Sequence, residues 1–221
     1  MKRYIASTLL AGAILTAAGS ENARWLRDAA ISPDGTTVAF TYKGDIFTVP
    51  VNGGEAKQIT SNNAYDAKPV WTPDGSRIVF MSTREGSRDI FVTSAKGGTP
   101  RRLTTSSGSE QPLTFINDST LLFNAADLPG RTTARAPFMT QVYSLNVNRE
   151  SPRPKLFLSL PVVTASANGK GEILYQDRKG VEDILRKHER SSGTADVWLF
   201  RNGDFTQLTD FNGGDQSPVW G

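Results

Sequence analysis

An all-β fold, a β-propeller of four-stranded antiparallel blades, is what this sequence predicts. Three observations lead there: a segment that recurs about every 40 residues, hairpin signals at fixed places inside each copy, and strand-length apolar runs with no long helical stripe. Ala30-Ile31-Ser32-Pro33-Asp34-Gly35-Thr36-Thr37-Val38-Ala39-Phe40 returns as Val70-Trp71-Thr72-Pro73-Asp74-Gly75-Ser76-Arg77-Ile78-Val79-Phe80. Each copy continues through Asp45-Ile46-Phe47 or Asp89-Ile90-Phe91, then Gly53-Gly54 or Gly97-Gly98. Each closes with Gln58-Ile59-Thr60 or Arg102-Leu103-Thr104.

Within a copy, Pro presets the φ of a turn, Asp bonds its own backbone and Gly accepts the positive φ that closes the hairpin, so Pro-Asp-Gly joins a first strand to a second. The second strand alternates, with Val38, Phe40 and Tyr42 on one face and Thr37, Ala39 and Thr41 on the other. Asn52-Gly53-Gly54 signals the hairpin between the third and fourth strands. A third copy runs from Gln111-Pro112-Leu113 through Leu121-Leu122-Phe123. A fourth runs from Val163 through Ile173-Leu174-Tyr175, resumes at Asp196-Val197-Trp198 and ends at Gln207-Leu208-Thr209. One such sheet cannot bury both faces, so the blades must stack around an axis; a β-sandwich with similar turns is the alternative. The blades are expected at about 24–60, 66–104, 110–158 and 162–209.

Asp215-Gln216-Ser217-Pro218-Val219-Trp220 repeats the opening of the second copy, so residues 215–221 read as the first strand of a fifth blade. The expectation is a propeller truncated from a six-bladed ring, residues 21–221 being its front part. Phe40, Phe47, Phe80, Phe91, Phe123, Tyr143, Tyr175 and Trp198 sit at equivalent positions and are expected to pack between blades. Trp71 and Trp220 are expected as core anchors where a blade begins.

Residues 1–20 read as a signal peptide: Lys2-Arg3, then an apolar stretch to Ala18, then small residues before Glu21. This implies a periplasmic or secreted protein with no membrane contact after leader removal; an uncleaved anchor is the alternative. The 221 residues hold 25 basic and 22 acidic side chains, and Lys2 and Arg3 fall in the leader, so no electrostatic footprint for nucleic acid exists. No cysteine is present and His188 is the single histidine, which excludes disulfides, Cys nucleophiles and His-rich metal centres. No cofactor or metal is expected. His188 lies near Ser191 and Ser192, but a triad also needs an oriented acid and an oxyanion hole, so no catalytic residue is assigned. No Gly-x-Ser-x-Gly elbow occurs. The stretch Asp210–Asp215 lacks the Gly and Glu positions of a calcium loop and reads as a blade-to-blade turn.

In the first two copies the second and third strands are joined by about two to nine residues. In the third, Asn124 to Thr140 intervenes, and in the fourth, Asp177 to Ala195. Both insertions occupy the same joint, so both must rise from one face. They carry Arg131, Arg135, Arg178, Lys179, Arg186, Lys187, His188 and Arg190 against Asp127, Glu182, Asp183 and Glu189. Lengthened loops on a rigid scaffold are where binding resides. Arg131, Arg135, Arg186 and Lys187 are the candidate substrate-binding residues, a basic rim for acidic groups; the alternatives are that the loops pack on a neighbouring domain or subunit, and that these cations pair with Glu182, Asp183 and Glu189 within the loops.

The run Pro-Val-Trp-Thr-Pro-Asp-Gly-Ser-Arg-Ile-Val-Phe with its Asp-Ile-Phe and closing Leu-Thr resembles the blade repeat of TolB-like propellers and tricorn-type peptidases, over residues 24 to 104. Tyr175-Gln176-Asp177-Arg178-Lys179-Gly180, Arg186-Lys187-His188 and Thr194-Ala195-Asp196-Val197-Trp198 resemble the fourth blade of exported tricorn-type serine peptidases. That resemblance implies a non-catalytic N-terminal propeller that gates or presents peptides to a serine peptidase core far downstream. The implied partners are peptides or protein domains and the remainder of its own chain, with room for a homo-oligomer in the full-length protein. A stand-alone TolB-like binding propeller and the propeller of a prolyl-oligopeptidase-type hydrolase are the competing readings, separated by the sequence downstream of Gly221.

Overall fold

Pro-Asp-Gly closes its hairpin through the Asp carboxylate. In the structure, a computed structural model that describes residues 25–126, 128, 140–178, 194–211 and 213–220, Ser32 Oγ donates to Asp34 Oδ1 at 2.5 Å and the Thr36 N–H to the same oxygen at 3.1 Å. Gly35 follows at φ +72°. This turn joins β1 (Arg27–Ile31) to β2 (Thr37–Tyr42). The second copy repeats it: Thr72 Oγ1 and the Ser76 N–H donate to Asp74 Oδ1 at 2.6 and 3.1 Å, between β5 (Asp66–Trp71) and β6 (Arg77–Glu85). Hydrogen bonds from Thr72 and Ser76 hold the Asp74 carboxyl down to about 2, and those from Ser32 and Thr36 lower Asp34 likewise.

β3 (Asp45–Pro50) and β4 (Lys57–Gln58) complete the first blade, and β7 (Ser87–Ser94) and β8 (Arg101–Arg102) the second. The third holds β9 (Glu110–Phe115), β10 (Thr120–Ala125), β11 (Gln141–Asn146) and β12 (Lys155–Leu158). The fourth holds β13 (Val162–Ala167), β14 (Ile173–Asp177), β15 (Val197–Arg201) and β16 (Asp204–Gln207). Each blade is a four-stranded antiparallel meander in chain order, and the four stack as a propeller. One joint is shorter than its sequence suggests. Ser82 to Arg88, a polar run without alternation, continues the β6–β7 ladder through a bulge, so Gly86 alone, at φ +95°, makes the turn.

The recurrent aromatics are cross-strand pairs between the second and third strands. Phe40 faces Phe47, Phe80 faces Phe91 and Phe123 faces Tyr143 with centroids 6.0 to 6.1 Å apart; Tyr175 is opposite Trp198. Three cores lie between successive blades. Ala39, Ile46 and Ile59 of the first blade meet Ile78, Phe80 and Phe91 of the second, beside Trp71, whose Nε1 donates to Ala30 O at 3.0 Å. Val79, Ile90, Val92 and Leu103 meet Leu121, Phe123, Tyr143 and Leu145. Leu122, Val142 and Leu158 meet Ile173 and Tyr175, with Trp198 and Phe200 at the margin. Each aromatic pair adds about 0.5–1.5 kcal/mol beyond its buried area. The remaining face of the first blade, with Val38, Phe40, Tyr42, Phe47 and Val49, lines an apolar groove of about 650 Å³.

A polar clasp recurs at the joints. The Thr closing a blade accepts the N–H that comes just after the Asp opening its third strand: Ile46 N to Thr60 Oγ1 at 3.0 Å, Ile90 N to Thr104 Oγ1 at 2.8 Å, Val197 N to Thr209 Oγ1 at 2.9 Å. The residue two before that Thr reaches the same Asp: Gln58 to Asp45, Arg102 to Asp89 and Gln207 to Asp196, at 3.0, 2.8 and 3.0 Å. An acid from the next blade, Asp66, Glu110 or Asp215, stands at the same place.

Residues 213–220 form no strand. They lie along the fourth blade through Asp215 N to Ala195 O at 2.8 Å, Ser217 N to Gln176 Oε1 at 3.1 Å and Trp220 N to Ser166 Oγ at 3.1 Å. The expected leader, residues 1–20, lies outside the described residues.

Candidate functional site

The innermost strand of each blade, β1, β5, β9 and β13, contributes to one axial channel of about 250 Å³. An inner strand pairs with its blade on one side only, and its other edge faces the axis. Pro69 and Pro112 sit on that edge, where a missing N–H costs no ladder bond and discourages further pairing. All four inner strands bulge here: the register slips between Arg27 and Ala30, between Ala67 and Val70, opposite Leu122/Phe123, and between Val162 and Thr164.

Asp28 and Lys68 occupy equivalent bulge positions in the left-handed region, at φ +53° and +58°, where non-glycine residues are uncommon. The bulge turns both side chains toward the channel. Lys68 Nζ meets Asp28 Oδ1 at 2.7 Å, and Thr41 Oγ1 donates to Asp28 Oδ2 at 3.2 Å. Gln111, Leu113, Val163 and Thr164 complete the wall, so the channel is polar and charged beside the first two blades and less so beside the others. Sequence reading missed this pair: the two residues are 40 apart, and neither is a glycine that would flag a positive φ.

The blade-to-blade connectors and the joints between second and third strands share one end of the disc. Asp66 N donates to Gly44 O at 2.7 Å, and a Cβ on Gly44 would lie 3.5 Å from the Tyr65 ring. Both insertions root at this end. Leu128 is buried in the core between the second and third blades, and the Tyr143 hydroxyl donates to its carbonyl at 3.3 Å. In the fourth blade Asp177 Oδ1 accepts the Asp196 N–H at 2.8 Å, and Asp177 Oδ2 the Trp198 Nε1–H at 3.1 Å. Burial, with the Asp177 charge, pushes the Tyr175 hydroxyl up to about 12. The candidate rim residues Arg131, Arg135, Arg186 and Lys187, and His188, lie outside the described residues.

The most perturbed carboxyl sits at the clasp between the second and third blades. Glu110 is 1% exposed and Asp89 fully buried. Thr104 Oγ1 donates to Glu110 Oε2 at 2.9 Å, Ser106 Oγ bonds Glu110 Oε1, and Arg102 Nη2 reaches Asp89 Oδ2 at 2.8 Å. Burial pushes the Glu110 carboxyl up to about 7, aided by the charge of Asp89 and a hydrogen bond to it, against hydrogen bonds from Ser106 and Thr104. Asp89 Oδ1 is buried with no hydrogen-bond donor among the described residues, and the Asp89 charge favours the protonated form of Glu110. The signal was present in Thr104 and Asp89; their meeting with Glu110 across the joint was not. Among the described residues no cluster of three or more His, Cys, Asp or Glu is arranged to hold a metal ion.

Comparison with known proteins agrees with this architecture. The family model of the tricorn protease N-terminal β-propeller domain matches residues 23–221. Tricorn protease homolog 1 of Streptomyces coelicolor is 28% identical over 192 residues, covering 85% of this chain and 17% of that protein. The tricorn protease crystal structure aligns at a TM-score of 0.65 and 21% identity, over 88% of this chain and 19% of the other. A TolB structure from Agrobacterium tumefaciens aligns at 0.61 and 21%, over 85% and 68%. The chain thus spans under a fifth of the length of its tricorn relatives. It belongs to the tricorn protease N-terminal β-propeller family.

Proposed function

We propose that this domain gates or presents peptides to the catalytic core of a tricorn-like serine peptidase, itself performing no bond cleavage. The observation that carries the reading is the axial channel ringed by one inner strand from each blade, with both expanded joints rooted at one end of the disc. A rigid ring bearing long loops around a channel mouth suits selection of a flexible chain, because the scaffold holds the loop bases without closing the passage. In this reading Arg131, Arg135, Arg186 and Lys187 form a basic rim for acidic peptide ends, where an Arg grips a terminal carboxylate with two parallel hydrogen bonds. The leader over residues 1–20 directs the protein out of the cytoplasm.

Charge reversal of Arg131 and Arg186 in the full-length protein tests the rim. The expected result is a fall in kcat/KM for peptides with free C-termini relative to amidated ones; an unchanged ratio rejects it. The purified 221-residue chain is expected not to react with serine-directed phosphonates, and labelling that survives purification to homogeneity would reject the non-catalytic role. A second reading, a TolB-like protein-binding propeller without a peptidase, draws on the likeness to TolB. Sequence downstream of Gly221 separates the two: a peptidase core supports the first, and termination after further blades the second.

A further inference from the structure

At the end of the disc opposite the insertions, the hairpin joining β11 to β12 frames a cavity of about 250 Å³ lined by Thr120, Ser144, Asn146, Arg149, Arg153 and Lys155. Three cations and three neutral hydrogen-bonding side chains converge there, and no acid lines the space. Glu150 in the hairpin and Asp118 in the adjoining turn are the nearby carboxylates, and both lie off the wall. Arg149, Arg153 and Lys155 have no side-chain hydrogen bond or ion pair among the described residues, although like charges held this close repel.

The backbone under these cations is fixed from outside. Arg101 of the second blade crosses the joint and donates to the carbonyls of Val147, Arg149 and Glu150 at 2.7, 3.0 and 3.1 Å. Arg77 Nη2 donates to Asn148 Oδ1 at 2.6 Å, and Asn146 Nδ2 to Ser119 Oγ at 3.1 Å. Pro152 and Pro154 fix φ on either side of Arg153. Two arginines are thus spent on holding a turn that presents three more cations, in a chain whose basic and acidic residues nearly balance. Pre-organised donors lose little freedom when an anion arrives.

We propose that this cavity is a binding site for a compact phosphate-type oxyanion. Two guanidinium groups and an ammonium supply charge-assisted donors, and the Thr120 hydroxyl and the second Asn146 Nδ2–H supply neutral ones, while the Ser144 hydroxyl donates to Lys155 O at 3.4 Å; the space admits such a group together with water. A tetrahedral dianion accepts from several directions at once, which suits donors spread around a bowl better than the single plane of a carboxylate.

The test is calorimetric titration of the full chain with inorganic phosphate at fixed low ionic strength, with chloride as the compensating salt. Saturable binding is expected, weakened at least about ten-fold in the triple variant Arg149→Gln/Arg153→Gln/Lys155→Gln and about three-fold in Arg153→Gln alone. Arg88→Gln, removing one exposed charge from another blade, should leave it unchanged. No saturation beyond the chloride control, or equal losses in Arg88→Gln and Arg153→Gln, overturns the site. Acetate or a tetraglutamate peptide binding more tightly than phosphate overturns the oxyanion assignment. The three side chains are exposed, so unchanged melting of the phosphate-free variants is expected and separates lost binding from lost fold.

Discussion

The joint between the second and third blades and the joint between the third and fourth stand at the same place in the repeat and are built from opposite chemistry. The first holds Asp89, Arg102, Thr104 and Glu110, with two buried acids, one arginine and a Glu110 carboxyl that burial raises to about 7. The second places Gln141 where Asp89 stands, Ser159 where Thr104 stands and Val162 where Glu110 stands. Gln141 Nε2 donates to Ser159 Oγ at 2.6 Å, and Asn124 Nδ2 to Val162 O at 2.7 Å. The substitutions go together because a buried charge is tolerated only with a partner: once Val162 removes the acid, Asp and Arg at the other positions lose their purpose. Apolar packing around Val162 by Leu122, Val142 and Ile173 takes over. One blade geometry therefore accepts both the Asp–Arg–Glu clasp of one joint and the Gln–Ser–Val set of the other.

Mixing them is the way to break the comparison most severely. Val162→Asp puts a carboxylate into the apolar core between the third and fourth blades, where Gln141 stands in place of Asp89 and Phe157 in place of Arg102. The expected cost is about 3–5 kcal/mol at pH 7, the range for an uncompensated buried charge. Urea unfolding measures it, and a loss below about 1 kcal/mol would mean that the joint supplies solvation we have not identified.

Acidity separates the joints next. The Glu110 carboxyl is raised from 4.5 to about 7, so the folded chain binds a proton that the unfolded chain has released. Its stabilising share is complete below about pH 4.5 and is lost as pH rises through about 7, a difference of about 3 kcal/mol, with a flat profile above. The neutral joint has no titratable side chain at the equivalent positions and adds no such slope. Unfolding midpoints from pH 4.5 to 8 should therefore fall in the natural chain and stay level in Glu110→Gln, which becomes the more stable protein at pH 8. Parallel profiles for the two would place the proton elsewhere.

What the sequence made legible is local. Pro-Asp-Gly and Asn-Gly-Gly fix turns within four residues, and the aromatic pairs lie directly across one hairpin, so both are readable from spacing. What it hid is contact between blades. Asp89 and Glu110 are 21 residues apart and Asp28 and Lys68 are 40 apart; nothing in either neighbourhood announces the other. The left-handed backbone that turns Asp28 and Lys68 inward is imposed by the bulge of an inner strand rather than by a glycine. Ser82 to Arg88 read as loop because polar residues carry no alternation, although the ladder runs through them.

Arg102→Gln sharpens the comparison by giving the charged joint the residue that the first and fourth blades use, Gln58 and Gln207. Asp89 then loses its ion pair while Glu110 remains. A cost of about 1.5–3 kcal/mol is expected, the range for a hydrogen bond to a charged group. It should be larger at pH 8 than at pH 5, because above the Glu110 titration Arg102 faces two negative charges and below it one. An equal cost at both pH values would uncouple Arg102 from Glu110.

The smallest effect is expected from Gln207→Ala in the fourth blade. Gln207 Nε2 donates to Asp196 Oδ2 at 3.0 Å and to Thr209 O at 2.8 Å, but the side chain is exposed and water replaces both bonds when it is cut back. The Thr209 hydroxyl still accepts the Val197 N–H, so the strand ends stay joined. The loss should be about 0.5–1 kcal/mol, the net value of a neutral hydrogen bond, and the same at pH 5 and pH 8. Arg102 and Gln207 occupy equivalent positions and reach equivalent Asp residues, so the ratio of their two costs isolates what charge and burial add to one contact geometry. Should Gln207→Ala cost as much as Arg102→Gln, the contact itself would be what matters, and the buried acid pair would no longer distinguish the joint between the second and third blades.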